Sequence, residues 1–173
     1  MTVLGAILAG GRSSRFGSDK AFAMLRGKRL IDHARNAMAA QCDELVVVGR
    51  EDGIPDMPRP GLGPLGGLAG AFHHAQQRGH DLVLSCSVDS VDLPDDLVAL
   101  FSPAPAYMID QPVIGLWRVA DAPVLDQLLA SDARHSMRAF AEIIGSRPVE
   151  FAFDVANINV PADLERLEQS HGL

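Results

Sequence analysis

Short apolar runs alternate along nearly the whole chain with segments whose apolar residues recur every three or four positions. Residues 3–8, 44–48, 82–86, 106–108, 113–117 and 149–152 read as strands, each a brief apolar run bounded by polar or turn-forming positions. Between them, Leu30, Ile31, Ala34, Ala37 and Met38 share one helical face, and Leu68, Ala71, Phe72 and Ala75 repeat the pattern. Further helices are predicted over 122–130, 136–144 and 161–168, with Pro161 at a first helical position and Gly145 just past a last one. Strand and helix in steady alternation indicate the α/β class: a three-layer α/β/α sandwich built on a Rossmann-like, mostly parallel sheet.

The length of 173 residues suits one domain, 1–173, with a sizeable core. Hydrophobic residues make up 47% and charged ones 21%, the balance of an ordinary globular enzyme. No apolar run approaches the roughly 18 residues that span a bilayer, and the first residues lead into a strand without a basic segment and cleavage site. A cytoplasmic protein with no membrane contact is therefore expected. Cys42 and Cys86 are too few for a metal site or a disulfide framework, and none of the six histidines falls at ligand spacing, so each reads as solvated or packed. From Gly49 to Gly66 the composition shifts to proline and glycine; the strand pattern resumes afterwards, so this is a loop within the domain.

The net charge of −7 argues against nucleic acid as a partner. Its distribution is uneven. Residues 1–35 hold Arg12, Arg15, Lys20, Arg26, Lys28, Arg29 and Arg35 against Asp19 and Asp32, a local +5 that leaves −12 for residues 36–173. An anionic ligand would be steered toward the first loop.

That loop carries the strongest chemical signal. The first strand runs into Gly10-Gly11-Arg12-Ser13-Ser14-Arg15-Phe16-Gly17-Ser18-Asp19-Lys20. Glycines let backbone N–H groups approach an anion, the serines add hydroxyl donors, and Arg12, Arg15 and Lys20 supply charge. The spacing satisfies neither the Walker loop nor the dinucleotide fingerprint, and the loop taken alone is also compatible with a solvated turn. At its expected place, the carboxyl end of a strand, open α/β sheets bind ligands.

Three further segments add to it. Gly63-Pro64-Leu65-Gly66-Gly67-Leu68-Ala69-Gly70 is a tight turn entering a helix, its small residues suited to a nucleobase or to close packing. The run 82–86 delivers Asp89 to the edge where Lys20 is expected; a carboxylate beside a triphosphate repels it unless a divalent cation intervenes, so Asp89 suits a Mg²⁺ ligand. Asp92, before Leu93-Pro94, fits a cap or turn. Asn157 and Asn159 stand at strand-like i, i+2 spacing before a helix, facing the same way, to meet a ligand or to cap.

Together the four segments resemble the MobA-type molybdenum cofactor guanylyltransferases of the nucleotidyltransferase superfamily. Leu8–Lys20 is similar to the family's L-A-G-G-x-S-x-R-[MF]-G-x-D-K, Gly63–Gly67 to its G-P-L-x-G, residues 88–94 to its C-D-T-P-x-x-P strand end, and 157–164 to its N-x-N-x-P-x-D-L. The resemblance implies a nucleotide-diphospho-sugar transferase-like fold and one nucleotidyltransferase domain. It implies transfer of GMP from Mg-GTP to the terminal phosphate of molybdenum-bearing molybdopterin, with release of pyrophosphate. By motif, Leu8, Ala9, Gly10 and Gly11 would line the nucleotide pocket. Lys20 and Arg15 would contact phosphate, and Asp89 would hold Mg²⁺. Asp56, eight residues before Pro64, would contact guanine, and Asn157 and Asn159 would lie on the acceptor side. Implied partners are GTP and molybdopterin, with transient contacts to molybdoenzymes or cofactor-biosynthesis proteins. The family's Asp-Thr-Pro is here Asp89-Ser90-Val91, and residues 102–111 are shorter than in relatives. These departures keep open another nucleotide or acceptor, such as CTP or a sugar phosphate, and a nucleotide-binding module without turnover.

Overall fold

The computed structural model describes residues 1–11 and 19–170; Arg12, Ser13, Ser14 and Arg15, named above as phosphate contacts or donors, lie outside the described residues. Among the described residues no helix is long and apolar enough to cross a membrane.

The organising element is β1 (Val3–Leu8), buried at every position. It pairs in parallel with β4 (Glu44–Val48) on one side and β5 (Leu82–Ser87) on the other. Its alternation explains the burial on both faces. Val3 and Ile7 join the core beneath α1 (Leu30–Ala39), whereas Leu4, Ala6 and Leu8 join the one beneath α2 (Gly63–Arg78). The chain leaves β1 for β4 by way of α1 and reaches β5 by way of α2, so the strand order reverses at β1. The carboxyl ends of β1, β4 and β5 meet at one edge, which is where such sheets bind ligands.

Beyond β5 the sheet continues through β8 (Gly115–Arg118), β7 (Ala106–Met108) and β9 (Arg147–Val149), in the order β4-β1-β5-β8-β7-β9. Only β8 runs against the others, so the sheet is mostly parallel, as the alternation implied. The helix α3 (Leu97–Phe101) adds Leu97 and Phe101 to the core under α1. On the opposite face α4 (Ala122–Ala130) and α5 (Met137–Ile143) pack beside α2, and the edge-to-face pair Phe72–Phe140, centroids 6.2 Å apart, joins α2 to α5.

Two strand boundaries differ from expectation. The expected strand 113–117 begins at Gly115, because Ile114 N–H turns back to the Gln111 carbonyl and the Val113 carbonyl accepts from Ser85 Oγ. The expected strand 149–152 lies at Arg147–Val149; past Val149 the chain leaves the edge and Phe151 stacks on Phe101, centroids 5.5 Å apart. Pro148, which has no N–H, is tolerated because β9 is an edge strand.

Several short pieces were not legible in the periodicity. They are the hairpin of β2 (Met24–Leu25) with β3 (Lys28–Arg29), the antiparallel pair of β6 (Ser90–Val91) with β10 (Ala156–Asn157), and 3₁₀ turns over Lys20–Phe22 and Val119–Asp121. The last helix, α6, spans Pro161–Ser170. Asp92 sits in a turn with φ +58 and its carboxylate takes the Arg26 guanidinium at 2.7 Å; α3 starts after Asp96 instead.

Candidate functional site

At the carboxyl edge, the ends of β1 and β5 are tied by the bond from Val88 N–H to the Leu8 carbonyl, and Ala9 N–H bonds to the Val48 carbonyl. A small cavity of about 170 Å³ opens there between Leu8–Gly11, Asp19–Ala21 and Ser87–Asp89. Five residues singled out in the sequence, Leu8, Ala9, Gly10, Gly11 and Lys20, therefore share one cavity with Asp89. Gly11 takes φ +125, a conformation that L side chains rarely adopt.

Lys20 Nζ lies 2.8 Å from Asp89 Oδ2, joining residues 69 positions apart. The other Asp89 oxygen accepts from Ser87 Oγ, so the carboxylate is held from two directions. Lys20 stands on the 3₁₀ turn, whose first N–H groups are capped by Asp19: Oδ1 accepts from Ala21 N–H at 3.1 Å. Ala21, 1% exposed, plugs the turn into the core.

Asp56 reaches the same edge from the proline-rich loop. Its Oδ1 lies 3.6 Å from where a side chain on Gly10 would begin, 3.1 Å from that point on Gly49 and 3.7 Å from that on Gly67. Three glycines thus make room for one carboxylate. Burial raises its pKa, partly offset by a hydrogen bond from Gly61 N–H. Gly63 and Pro64 are exposed, whereas Gly66, Gly67 and Gly70 are buried. They let the loop lie on α2, with Met57 N–H bonded to the Gly66 carbonyl at 3.0 Å and the Pro55 carbonyl against Gly70. Packing, one of the two readings of this stripe, accounts for these three glycines.

A second, larger cavity of about 600 Å³ adjoins the first, and Ser87 and Asp89 line both. Its other walls come from Asp110–Val113, from Arg134 and the start of α5 including Arg138, and from Pro64 and Asn157. Gln111 braces this side: its Nε2 donates to the Val155 carbonyl at 2.6 Å and its Oε1 accepts from Ser90 Oγ at 3.2 Å. Asn157 and Asn159 are both exposed with Ile158 buried between them, but only Asn157 lines the cavity. Asn159 does not cap α6 with its side chain in the way its position suggested; its N–H, and that of Val160, are capped by Asp163 Oδ2 at 2.8 and 2.9 Å. Arg134 and Arg138 were missed in the sequence. They belong to no motif, and no local signal marks them.

Among the described residues no group of three or more His, Cys, Asp or Glu side chains could hold a metal ion. Mg²⁺ is commonly bound in another mode, by one carboxylate completed by substrate phosphates and water, and Asp89 is the carboxylate that lines both cavities. The histidines proved less idle than expected. His74 and His80 bond to Glu44 at 2.8 and 3.0 Å and Arg78 at 3.2 Å, which together hold its pKa down to about 2.

Residues 5–147 match the MobA-like NTP transferase domain. The molybdenum cofactor guanylyltransferase of Rhodobacter capsulatus is 36% identical over 187 aligned positions, covering 97% of this chain and 96% of that protein. Molybdopterin-guanine dinucleotide biosynthesis protein A from Archaeoglobus fulgidus, 20% identical, superposes with a TM-score of 0.75 over 97% of this chain and 98% of its own, so the fold is shared. The same fold occurs in Rv0371c of Mycobacterium tuberculosis, solved as a complex with manganese: 14% identical, TM-score 0.66, with 98% of this chain and 100% of that one covered. The sheet is that of the nucleotide-diphospho-sugar transferases, and because the family domain matches over 5–147 and a relative is 36% identical over nearly its full length, the chain belongs to the MobA-like NTP transferase family.

Proposed function

We propose that this protein, as one nucleotidyltransferase domain, transfers GMP from Mg-GTP to the terminal phosphate of molybdenum-molybdopterin, forming molybdopterin guanine dinucleotide and pyrophosphate. The observation that carries the reading is the position of Asp89, on the wall common to a glycine-lined cavity holding Lys20 and a larger one holding Arg134 and Arg138. A nucleotide in the first and a phosphorylated acceptor in the second would meet at that wall. The guanylyltransferase named above, alike over almost its full length, supports guanine and molybdopterin as the substrates.

Transfer of this kind needs no protein nucleophile. An oxygen of the acceptor phosphate attacks the α-phosphorus of GTP in line, a new P–O bond forms, and the bond to the bridging oxygen breaks with its electron pair leaving on pyrophosphate. The chain supplies position and charge. Backbone N–H groups of Gly10 and Gly11 cradle phosphate, Lys20 offsets charge developing around the α-phosphorus, and Arg15 adds a second cation. Asp56 accepts from guanine. Arg134 and Arg138, with Asn157, receive the acceptor. Mg²⁺ on Asp89 would screen its carboxylate from the triphosphate.

The test is to incubate the purified protein with Mg²⁺, each nucleoside triphosphate in turn and molybdenum-molybdopterin, following pyrophosphate together with dinucleotide. Product with GTP is expected. Product with CTP alone would overturn the guanylyl assignment, and binding without product would identify a module that has lost turnover.

A further inference from the structure

Arg50 follows Gly49 at the carboxyl end of β4, outside every motif discussed above. Its guanidinium grips Asp19 with two bonds, Nη2 to Oδ2 at 2.6 Å and Nη1 to Oδ1 at 3.1 Å. It also lies over the Phe22 ring, 4.8 Å from the centroid. Asp19 and Phe22 flank the turn that carries Lys20, so one side chain holds the turn at both ends.

The other end of this strut is rigid. Gly49 N–H bonds to the Ile54 carbonyl at 2.8 Å and Gly53 N–H to the Arg50 carbonyl at 3.1 Å. Gly49, at φ +85, lies so close to Gly10 that a side chain on it would begin 2.6 Å from the Gly10 Cα. Arg50 is therefore planted on the sheet edge beside the small cavity, and its side chain is only 18% exposed.

The charges show what the strut accomplishes. Among the described residues, the charged groups lining the cavity are Lys20 and the carboxylates of Asp19 and Asp89, and a triphosphate there would meet both carboxylates. A planar fork that takes both oxygens of Asp19 neutralises that carboxylate and fixes its direction, which an ammonium cannot do with the same geometry. The hydrogen bonds from Arg50 also hold the Asp19 pKa below the ordinary carboxylate value.

We propose that Arg50 is a positioning residue: by holding Asp19 it makes the turn present Lys20, and not a bare carboxylate, to the phosphates of the nucleotide. The inference rests on the reading of Lys20 as a phosphate-binding side chain.

The experiment is a double-mutant cycle on the full chain with Arg50→Ala, Arg50→Lys, Asp19→Ala and the double variant. Two readouts are used: calorimetric binding of Mg-tripolyphosphate, and steady-state pyrophosphate release with Mg-GTP and acceptor. Arg50→Ala is expected to weaken tripolyphosphate binding and lower kcat by about tenfold each, with the acceptor KM unchanged. In the Asp19→Ala background the same change is expected to cost less than about twofold. Arg50→Lys, retaining charge without the fork, should recover binding more than kcat and keeps the test informative if Arg50→Ala folds poorly. Equal losses in both backgrounds, or a lowered Tm with binding and KM of the folded fraction unchanged, would overturn the inference by showing a structural role alone. Wild-type protein that binds tripolyphosphate yet transfers no GMP would overturn the proposed function while the binding cycle still decides the place of Arg50. Wild-type protein that binds no tripolyphosphate would overturn the inference as well.

Discussion

Lys20 and Asp89 form a 2.8 Å ion pair across the carboxyl ends of β1 and β5, and each side chain is largely shielded, at 15% and 21% exposure. The pair holds an ammonium and a carboxylate side by side on the wall of the small cavity. Replacing Lys20 with Ala is expected to lower kcat about 100- to 1000-fold, the usual loss for one preorganised donor to transition-state charge. Asp89→Asn is expected to abolish metal-dependent turnover. Pyrophosphate release followed across a Mg²⁺ titration checks both; wild-type rates in either variant would remove that residue from the site.

Asp56 owes its place to glycines, so the guanine contact proposed for it would depend on how the proline-rich loop is seated. A methyl on Gly70 would begin 2.2 Å from the Pro55 carbonyl oxygen, backbone that must move. Gly70→Ala is expected to shift the loop and destabilise the fold by about 1–3 kcal/mol. Asp56→Asn, which keeps an oxygen to accept from Gly61 N–H, should reduce the preference for GTP over ATP by about 10- to 100-fold, the worth of a hydrogen bond to a charged group. Competition between the two nucleotides measures it, and unchanged preference would exclude Asp56 from guanine recognition.

Ser85 links two buried groups: its Oγ accepts from Trp117 Nε1 at 2.8 Å and donates to the Val113 carbonyl at 2.6 Å. Ser85 and Trp117 are both fully buried, so Ser85→Ala strands an indole N–H away from water. A loss of about 1–3 kcal/mol is expected in urea unfolding. Trp117 is the only tryptophan, so its fluorescence reports the site directly.

Glu44 stands at the start of β4, the opposite edge of the sheet from the cavities. The hydrogen bonds from His80, His74 and Arg78 depress its pKa from 4.5 to about 2. A depressed carboxylate contributes stability that is fully present above the unfolded value of 4.5 and is lost as pH falls toward about 2. Glu44→Gln is therefore expected to be less stable than wild type at pH 7, with the gap closing through that window. Unfolding curves at several pH values check this; a constant gap would mean that the carboxylate charge is not what matters.

How much of this was legible beforehand depended on the range of the interaction. β1 and α4 fall on their expected residues because their limits are local: Gly10 ends the apolar run of the first, and Pro123 near the start of the second suits a first turn. The glycine-rich loop, Lys20 and Asp89 were legible for the same reason, since a strand end followed by glycine and charge is a short-range pattern. The expected strands at 113–117 and 149–152 were misplaced because a limit of each is decided by a partner far along the chain: Ser85 at the start of the first, and Phe101, against which Phe151 packs, past the end of the second.

From the sequence alone came the class of fold, the glycine-rich end of the first strand and the charged residues that follow it, all written in spacings of a few residues. Tertiary structure alone decided the pairings of cation and carboxylate that reach across the chain. Arg50 reaches Asp19 over 31 positions and His80 reaches Glu44 over 36, and Asp89 joins two cavities whose walls span much of the chain. Parallel strand pairing brings the ends of β1, β4 and β5 to one edge. No periodicity records that, because the register is fixed by hydrogen bonds between segments far apart in the chain.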